Sequence, residues 1–231
     1  MRFKILFLLV TSITFSTTFS QEGQTNVLQR NLAIDYRIRD FVVNKRLSDN
    51  DHGEKYIGTY YLFKDWSNSS RIHLTGKEFV LNNVNFNVQT NEFMSEIGQD
   101  SVFTVIPNYI DRIAIGDRNF TYNFYKNENK FFEVLFSASK KISLYKGFHI
   151  RIIPKSEMGM LNRPYDEVRI EEKLYLIYDQ EIVELKKKKK DILGFIEKDL
   201  QNDLLIYIKS KKLSYKKEKD LIEIFKYYDT L

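Results

Sequence analysis

The chain has 231 residues, with 36 Lys and Arg against 31 Asp and Glu, three His, one Trp and no Cys. Apolar residues make up 43% and aromatic residues 15%, nearly all of them Phe (18) and Tyr (15). This excludes intrinsic disorder and several separate enzyme domains, and the missing Cys excludes disulfides, thiolate metal sites, a catalytic thiol and a lipid-anchored cysteine.

Residues 1–20 read as an export signal. Arg2 and Lys4 form a basic start, residues 5–10 an apolar core, and Thr18-Phe19-Ser20 ends in small residues where a signal peptidase cuts. The apolar run falls short of the about 20 residues that a membrane-spanning helix needs. The expected mature chain starts near Gln21 and is exported, periplasmic or extracellular, and not lipid-anchored. Cleavage lowers the formal charge from +5 to +3. Residues 183–231 carry 13 Lys and 9 acids, which leaves residues 21–182 at −1. The basic character belongs to the tail.

Residues 21–54 form an N-terminal extension or edge segment, in which Ile34, Tyr36 and Ile38 suggest a strand. From 55 to 185 the dominant period is two. Ile72 and Leu74, then Val84, Phe86 and Val88, then Phe120, Tyr122 and Phe124, and Phe148, Ile150 and Ile152 alternate with polar residues, and Phe132, Val134 and Phe136 alternate with Glu133 and Leu135. Such alternation turns one strand face to a core and the other to solvent. Polar clusters at Asn82-Asn83, Thr90-Asn91-Glu92, Gly116-Asp117-Arg118-Asn119, Lys126-Asn127-Glu128-Asn129-Lys130 and Asp179-Gln180 read as tight turns, because Asn, Asp and Gly tolerate positive φ. No crossover helix fits between these strands, so the prediction is an antiparallel β-meander, either a curled sheet or a barrel. Residues 155–166 read as its one long loop.

After Leu185 the period changes to 3.6. Ile192, Phe195, Ile196, Leu200, Leu204, Leu205 and Ile208 form one stripe, and Leu221, Ile224, Phe225 and Tyr228 another. Helices are expected near 191–212, broken around 199–202, and near 216–229, with Asp191 and Ser214 as N-caps. Residues 186–231 are thus a Lys-rich hinge and helical tail. The fold class is β-rich α+β, a meander followed by a C-terminal helical segment.

These pieces resemble an uncharacterised exported protein family of Bacteroidota. That family joins a signal peptide and a Gly-x-x-Tyr-Leu-x-x-x-Trp opening to a strand-rich middle and a Lys-rich helical tail. The matching residues are Gly58, Tyr61, Leu62 and Trp66, then residues 77–93, and Asp220-Leu221-Ile222-Glu223 with Tyr227-Tyr228. The resemblance implies location and architecture, with no assigned activity.

Motifs for chemistry are sparse. His52, His73 and His149 lack the paired spacing of metal ligands, and no Gly-x-Ser-x-Gly elbow is present. Asp100, Asp111, Glu133 and Glu171 can be drawn into a glycosidase-type carboxylate pair, but 31 acids produce such sets by coincidence. The run Lys186, Lys187, Lys188, Lys189 and Lys190 is an electrostatic surface, read as a solvated linker or as a weak contact with an anionic membrane surface. Tyr60, Tyr61, Trp66, Tyr109, Tyr122 and Tyr125 are the ligand-binding candidates, since exposed rings stack on sugars or enclose apolar ligands. Against this, Phe and Tyr are good strand formers that fill cores. No cofactor, no metal and no nucleic acid is expected, and the chain reads as a monomer. The function expected is a non-enzymatic envelope or periplasmic protein with a binding or structural role. The alternatives are a lipocalin-like small-ligand carrier and a hydrolase whose site is not visible in sequence.

Overall fold

The structure, a computed structural model, describes residues 42–46, 56–74, 76–98, 101–139, 141–156, 163–179 and 181–231. The export signal, the strand suggested by Ile34, Tyr36 and Ile38, His52, Asp100 and the middle of the 155–166 loop lie outside the described residues.

The two-residue period is realised as strands β1 (Val42–Arg46), β2 (Tyr56–Gly58), β3 (Asn68–Leu74), β4 (Lys77–Asn87), β5 (Glu92–Gly98) and β6 (Ser101–Val105). These are followed by β7 (Arg112–Ile115), β8 (Arg118–Tyr125), β9 (Glu128–Phe136), β10 (Ser143–Ile153), β11 (Asp166–Tyr178) and β12 (Glu181–Glu184). All belong to one open sheet in the order β1-β6-β5-β4-β3-β7-β8-β9-β10-β11-β12, and β2 runs parallel to β11. The fold is β-rich α+β. Two meanders compose it rather than one: β3 to β6 progress in one direction, and β7 then returns to the free edge of β3.

Asn91, Lys126, Asn127 and Asp179 take positive φ at hairpin turns, as expected of these residue types. Asn82-Asn83 does not turn the chain. Strand β4 continues through it as a bulge, with Asn83 at φ 53° and a register slip opposite Asn68 and Ser70. Two buried hydroxyls serve the bulge: Ser95 Oγ donates to the Asn82 carbonyl at 2.6 Å and Ser70 Oγ to the Leu81 carbonyl at 3.1 Å. A left-handed Asn suits a bulge as well as a turn, which is why the two look alike in sequence.

The sheet curls strongly. Phe93 on β5 and Phe131 on β9 stand five strand steps apart, about 24 Å across a flat sheet. Their ring centroids lie 4.9 Å apart. The curl is filled by Phe86, Phe93, Phe120, Phe131 and Phe148 with Ile72, Leu81, Val84, Ile113 and their neighbours.

A second core lies further along the same face. Ile142, Leu144, Leu174, Leu176 and Leu185 are covered by helices α1 (Lys189–Leu193), α2 (Gln201–Ser210) and α3 (Glu218–Thr230). The predicted stripes supply it: Ile192, Ile196, Leu204, Ile208, Leu221, Ile224, Phe225 and Tyr228 are all buried. The interruption in the first helical stretch is wider than expected, leaving α1 only five residues before residues 194–200 intervene. Neither predicted N-cap has that role. Lys188 and Lys217 occupy the cap positions, Asp191 sits inside the first turn, and Ser214 precedes α3, where its N–H donates to Asp220. No helix among the described residues is long and apolar enough to cross a membrane.

Candidate functional site

The Gly58-to-Trp66 motif forms a strap across the open side of the curl. β2 pairs with the start of β11, and a few residues later Leu62 N–H donates to the Phe86 carbonyl while Val88 N–H donates to the Tyr60 carbonyl, both at 2.9 Å. Gly58 has φ +105°, and a Cβ there would stand 2.1 Å from the Val168 carbonyl oxygen, so only glycine lets the strap approach β11. Leu62 and Phe63 then pack into the curl core. Asn85 fastens the next residues, accepting from the Phe63 N–H at 3.0 Å and donating to the Phe63 and Asp65 carbonyls at 2.9 and 3.1 Å.

The six aromatic candidates do not converge. Tyr60 meets Tyr56 edge-to-face at 5.1 Å, and Tyr61 meets Trp66 at 5.0 Å, so these two pairs decorate the strap. Tyr122 lies against Phe131 at 4.7 Å at the margin of the curl core. Tyr125 belongs to the opposite sheet face, where it packs on Tyr175 and Phe132. Tyr109 is 56% exposed on a 3-10 turn, Pro107–Tyr109. Lys186 to Lys190 are all exposed beside a shallow depression that Glu184, Asp191 and Phe195 also line.

Two polar constellations that periodicity alone did not reveal lie on β8 to β11. The first is an ionic layer between the two cores. Arg118 grips Glu133 through Nε and Nη2, both at 2.8 Å, and its guanidinium lies over the rings of Phe63, Phe120 and Phe148. Lys146 Nζ reaches Glu133 at 4.0 Å, Glu172 at 3.3 Å and Glu218 of α3 at 2.9 Å. Burial alone would lower the Lys146 pKa, but the bond to Glu218 and the charges of Glu218, Glu133 and Glu172 outweigh it and hold the ammonium above its ordinary value. A signal for this layer does exist in the sequence. Glu133 falls between Phe131 and Leu135, Lys146 between Leu144 and Phe148, and Glu172 between Ile170 and Leu174, so adjacent strands each put a charge on the apolar parity.

The second constellation is on the other face. Gly147 carries no side chain there, and the rings of Tyr175 and Phe132 close over it; a Cβ would lie 2.7 Å from Tyr175 Cε2. His149 Nε2 stands 2.6 Å from the Tyr175 hydroxyl. Burial pushes the Tyr175 hydroxyl far above its usual range, and burial with Lys173 and Lys130 lowers the imidazole, so both partners are neutral near pH 7. This corrects the reading of β9: Phe131 faces the curl core, and Phe132 faces the outer cluster.

The groups considered for catalysis are dispersed. His73 Nε2 lies 3.1 Å from Arg112 Nη2 and 3.4 Å from Glu78 Oε2, and His149 is engaged by Tyr175. Glu133 is held by Arg118, Glu171 pairs with Arg151 at 2.9 Å on the opposite face, and Asp111 sits at an exposed bend. Among the described residues, no three His, Asp or Glu side chains gather as metal ligands would. The chain matches no protein family, no curated protein and no solved structure.

Proposed function

We propose that the chain is an exported, non-enzymatic component of the periplasm or cell envelope, with a binding or structural role, and that it belongs with the exported Bacteroidota proteins it resembles. One observation carries this reading over the lipocalin-like carrier. The space that a carrier would keep for its ligand is occupied by phenylalanine: Phe86, Phe93, Phe120, Phe131 and Phe148 touch one another with centroids 4.6–6.4 Å apart, each at most 8% exposed. Carriers of apolar ligands hold an open, ring-lined cavity. Here the rings line one another. The strap motif is likewise absorbed by architecture, since Gly58 seats the strap on β11 and Leu62 packs into the curl core.

Native mass spectrometry of the protein cross-linked in, and purified from, its envelope fraction tests the reading. The expected result is a terminus at or near Gln21, a bare-chain mass and a cross-linked macromolecular partner. An intact Met1 terminus overturns export, and a stoichiometric apolar small molecule on the chain restores the carrier.

A further inference from the structure

The strongest unabsorbed feature is the charge on the connection between α2 and α3. Lys209, Lys211, Lys212, Lys216, Lys217 and Lys219 lie within eleven residues, and all six are exposed. The connection is anchored from beneath. Leu213 and Tyr215 pack into the cap core, Leu213 N–H donates to the Ile208 carbonyl at 3.0 Å, and Lys216 N–H to Ser214 Oγ at 3.2 Å. Apolar residues point inward and lysines outward from one pinned loop.

Two nearby acids are engaged by neighbours, while Glu223 stays exposed one helical turn after Lys219. Glu218 is drawn under the loop to Lys146 Nζ at 2.9 Å, and Asp220 accepts the Ser214 N–H at 2.8 Å. The ionic layer therefore neutralises Glu218 with Lys146, and residues 209–220 keep six Lys against Asp220. The run at 186–190 differs, because Glu184 and Asp191 line the same depression as Lys186 and Lys190. Ile206, 60% exposed, stands one helical turn before Lys209 and Ser210 and shares their face.

We propose that the α2–α3 loop is a docking surface for an anionic lipid bilayer, with the lysines at the headgroups and Ile206 entering the interface. Clustered lysines beside an exposed aliphatic side chain match a negatively charged bilayer, which offers both phosphate charge and apolar depth. A soluble polyanion would leave Ile206 without a role. The inference deepens the envelope reading by naming a partner, and it is tested on purified protein, so its failure leaves the export and ligand results standing.

The test is co-sedimentation with vesicles of equimolar phosphatidylcholine and phosphatidylglycerol, and with pure phosphatidylcholine as control. Binding is expected to the anionic vesicles at about 0.1 M salt and to vanish at about 1 M, where the screening length falls to about 3 Å. Replacing Lys209, Lys211, Lys212, Lys216 and Lys217 by Gln should lower partitioning at least about 100-fold, since each lysine near the surface is worth on the order of fivefold. Gln at 186–190 should cost much less, and Ile206→Ser should cost about fivefold. Circular dichroism verifies that each variant keeps its fold. Unchanged binding of the loop variant, or an equal or larger loss from the 186–190 variant, overturns the assignment. An Ile206→Ser variant without effect, together with equally tight polyphosphate binding, identifies a soluble polyanion and overturns the bilayer.

Discussion

The curl core and the cap core share one face of one sheet, yet they are built from different side chains. Phenylalanines from β4, β5, β8, β9 and β10 meet at the centre of the curl among aliphatic side chains, whereas the cap is filled mostly with leucine and isoleucine. The difference follows from what bounds each space. The walls of the curl are strands tied into one hydrogen-bonded sheet, so their backbones cannot advance, and the Phe rings span its centre. The cap is bounded by helices that rest on Leu144, Leu174 and Leu176 and can settle until short aliphatic chains touch. A space with fixed walls should be the less forgiving of the two.

Matched truncations test that contrast with the largest expected effects. Phe120 and Leu221 are both fully buried. Phe120 contacts Phe63, Phe86, Phe93 and Phe148, and its Ala variant should lose about 4 kcal/mol in urea unfolding. Leu221→Ala should lose about 3 kcal/mol, because the helices can partly collapse into the gap. An equal or larger loss at Leu221 breaks the comparison.

The boundary between the cores gives a smaller effect. Glu133→Ala should cost about 2 kcal/mol, because Arg118 loses its bidentate carboxylate while Lys146 keeps Glu218 and Glu172. Lys146→Met should cost only about 1 kcal/mol. Glu133 keeps its bidentate Arg118, and Glu172 and Glu218 retain 54% and 32% side-chain exposure, enough to hydrate. If Lys146→Met proves the costlier change in thermal melts, then Lys146 rather than Arg118 holds the layer together.

The contrast also explains what could be read in the sequence. Single-element features were legible: the stripe Leu221, Ile224, Phe225 and Tyr228 is buried as its spacing implies, and Phe120 and Phe148 face inward as their alternation implies. Pairing between distant segments was not. Nothing in the alternation of Ile113 and Ile115 states that β7 returns to β3, because strand period encodes a face and not a neighbour. Adjacent aromatics hid parity at Phe131-Phe132, where both faces of β9 carry a buried ring. The candidate aromatics failed to converge because they sit on different elements: Tyr60, Tyr61 and Trp66 on the strap, Tyr109 on a 3-10 turn, and Tyr122 and Tyr125 on opposite faces of β8. The lysines at 186–190 drew attention as an unbroken run, while those at 209–219 are interspersed with Leu213 and Tyr215, which turn into the cap core only in the fold.

The smallest predicted effect concerns the outer face, which belongs to neither core. His149 is held against Tyr175 with Lys173 and Lys130 nearby, and Glu184 and Glu171 offset these cations only in part. Burial, followed by the two lysines, lowers the imidazole pKa below its ordinary 6.5 in the folded chain, whereas the unfolded chain takes up a proton at the ordinary value. The contribution to stability is therefore complete above 6.5 and declines as the pH falls from there towards the depressed folded value. The thermal midpoint of the parent should drop more steeply between about pH 7 and about pH 5 than that of His149→Gln, which has no proton to gain. Tyr175→Phe should keep most of the slope, because burial and the lysines remain when the hydroxyl is gone. Parallel pH profiles for the parent and His149→Gln would mean that the outer cluster is hydrated, and that Gly147 and its covering rings do not seal that face.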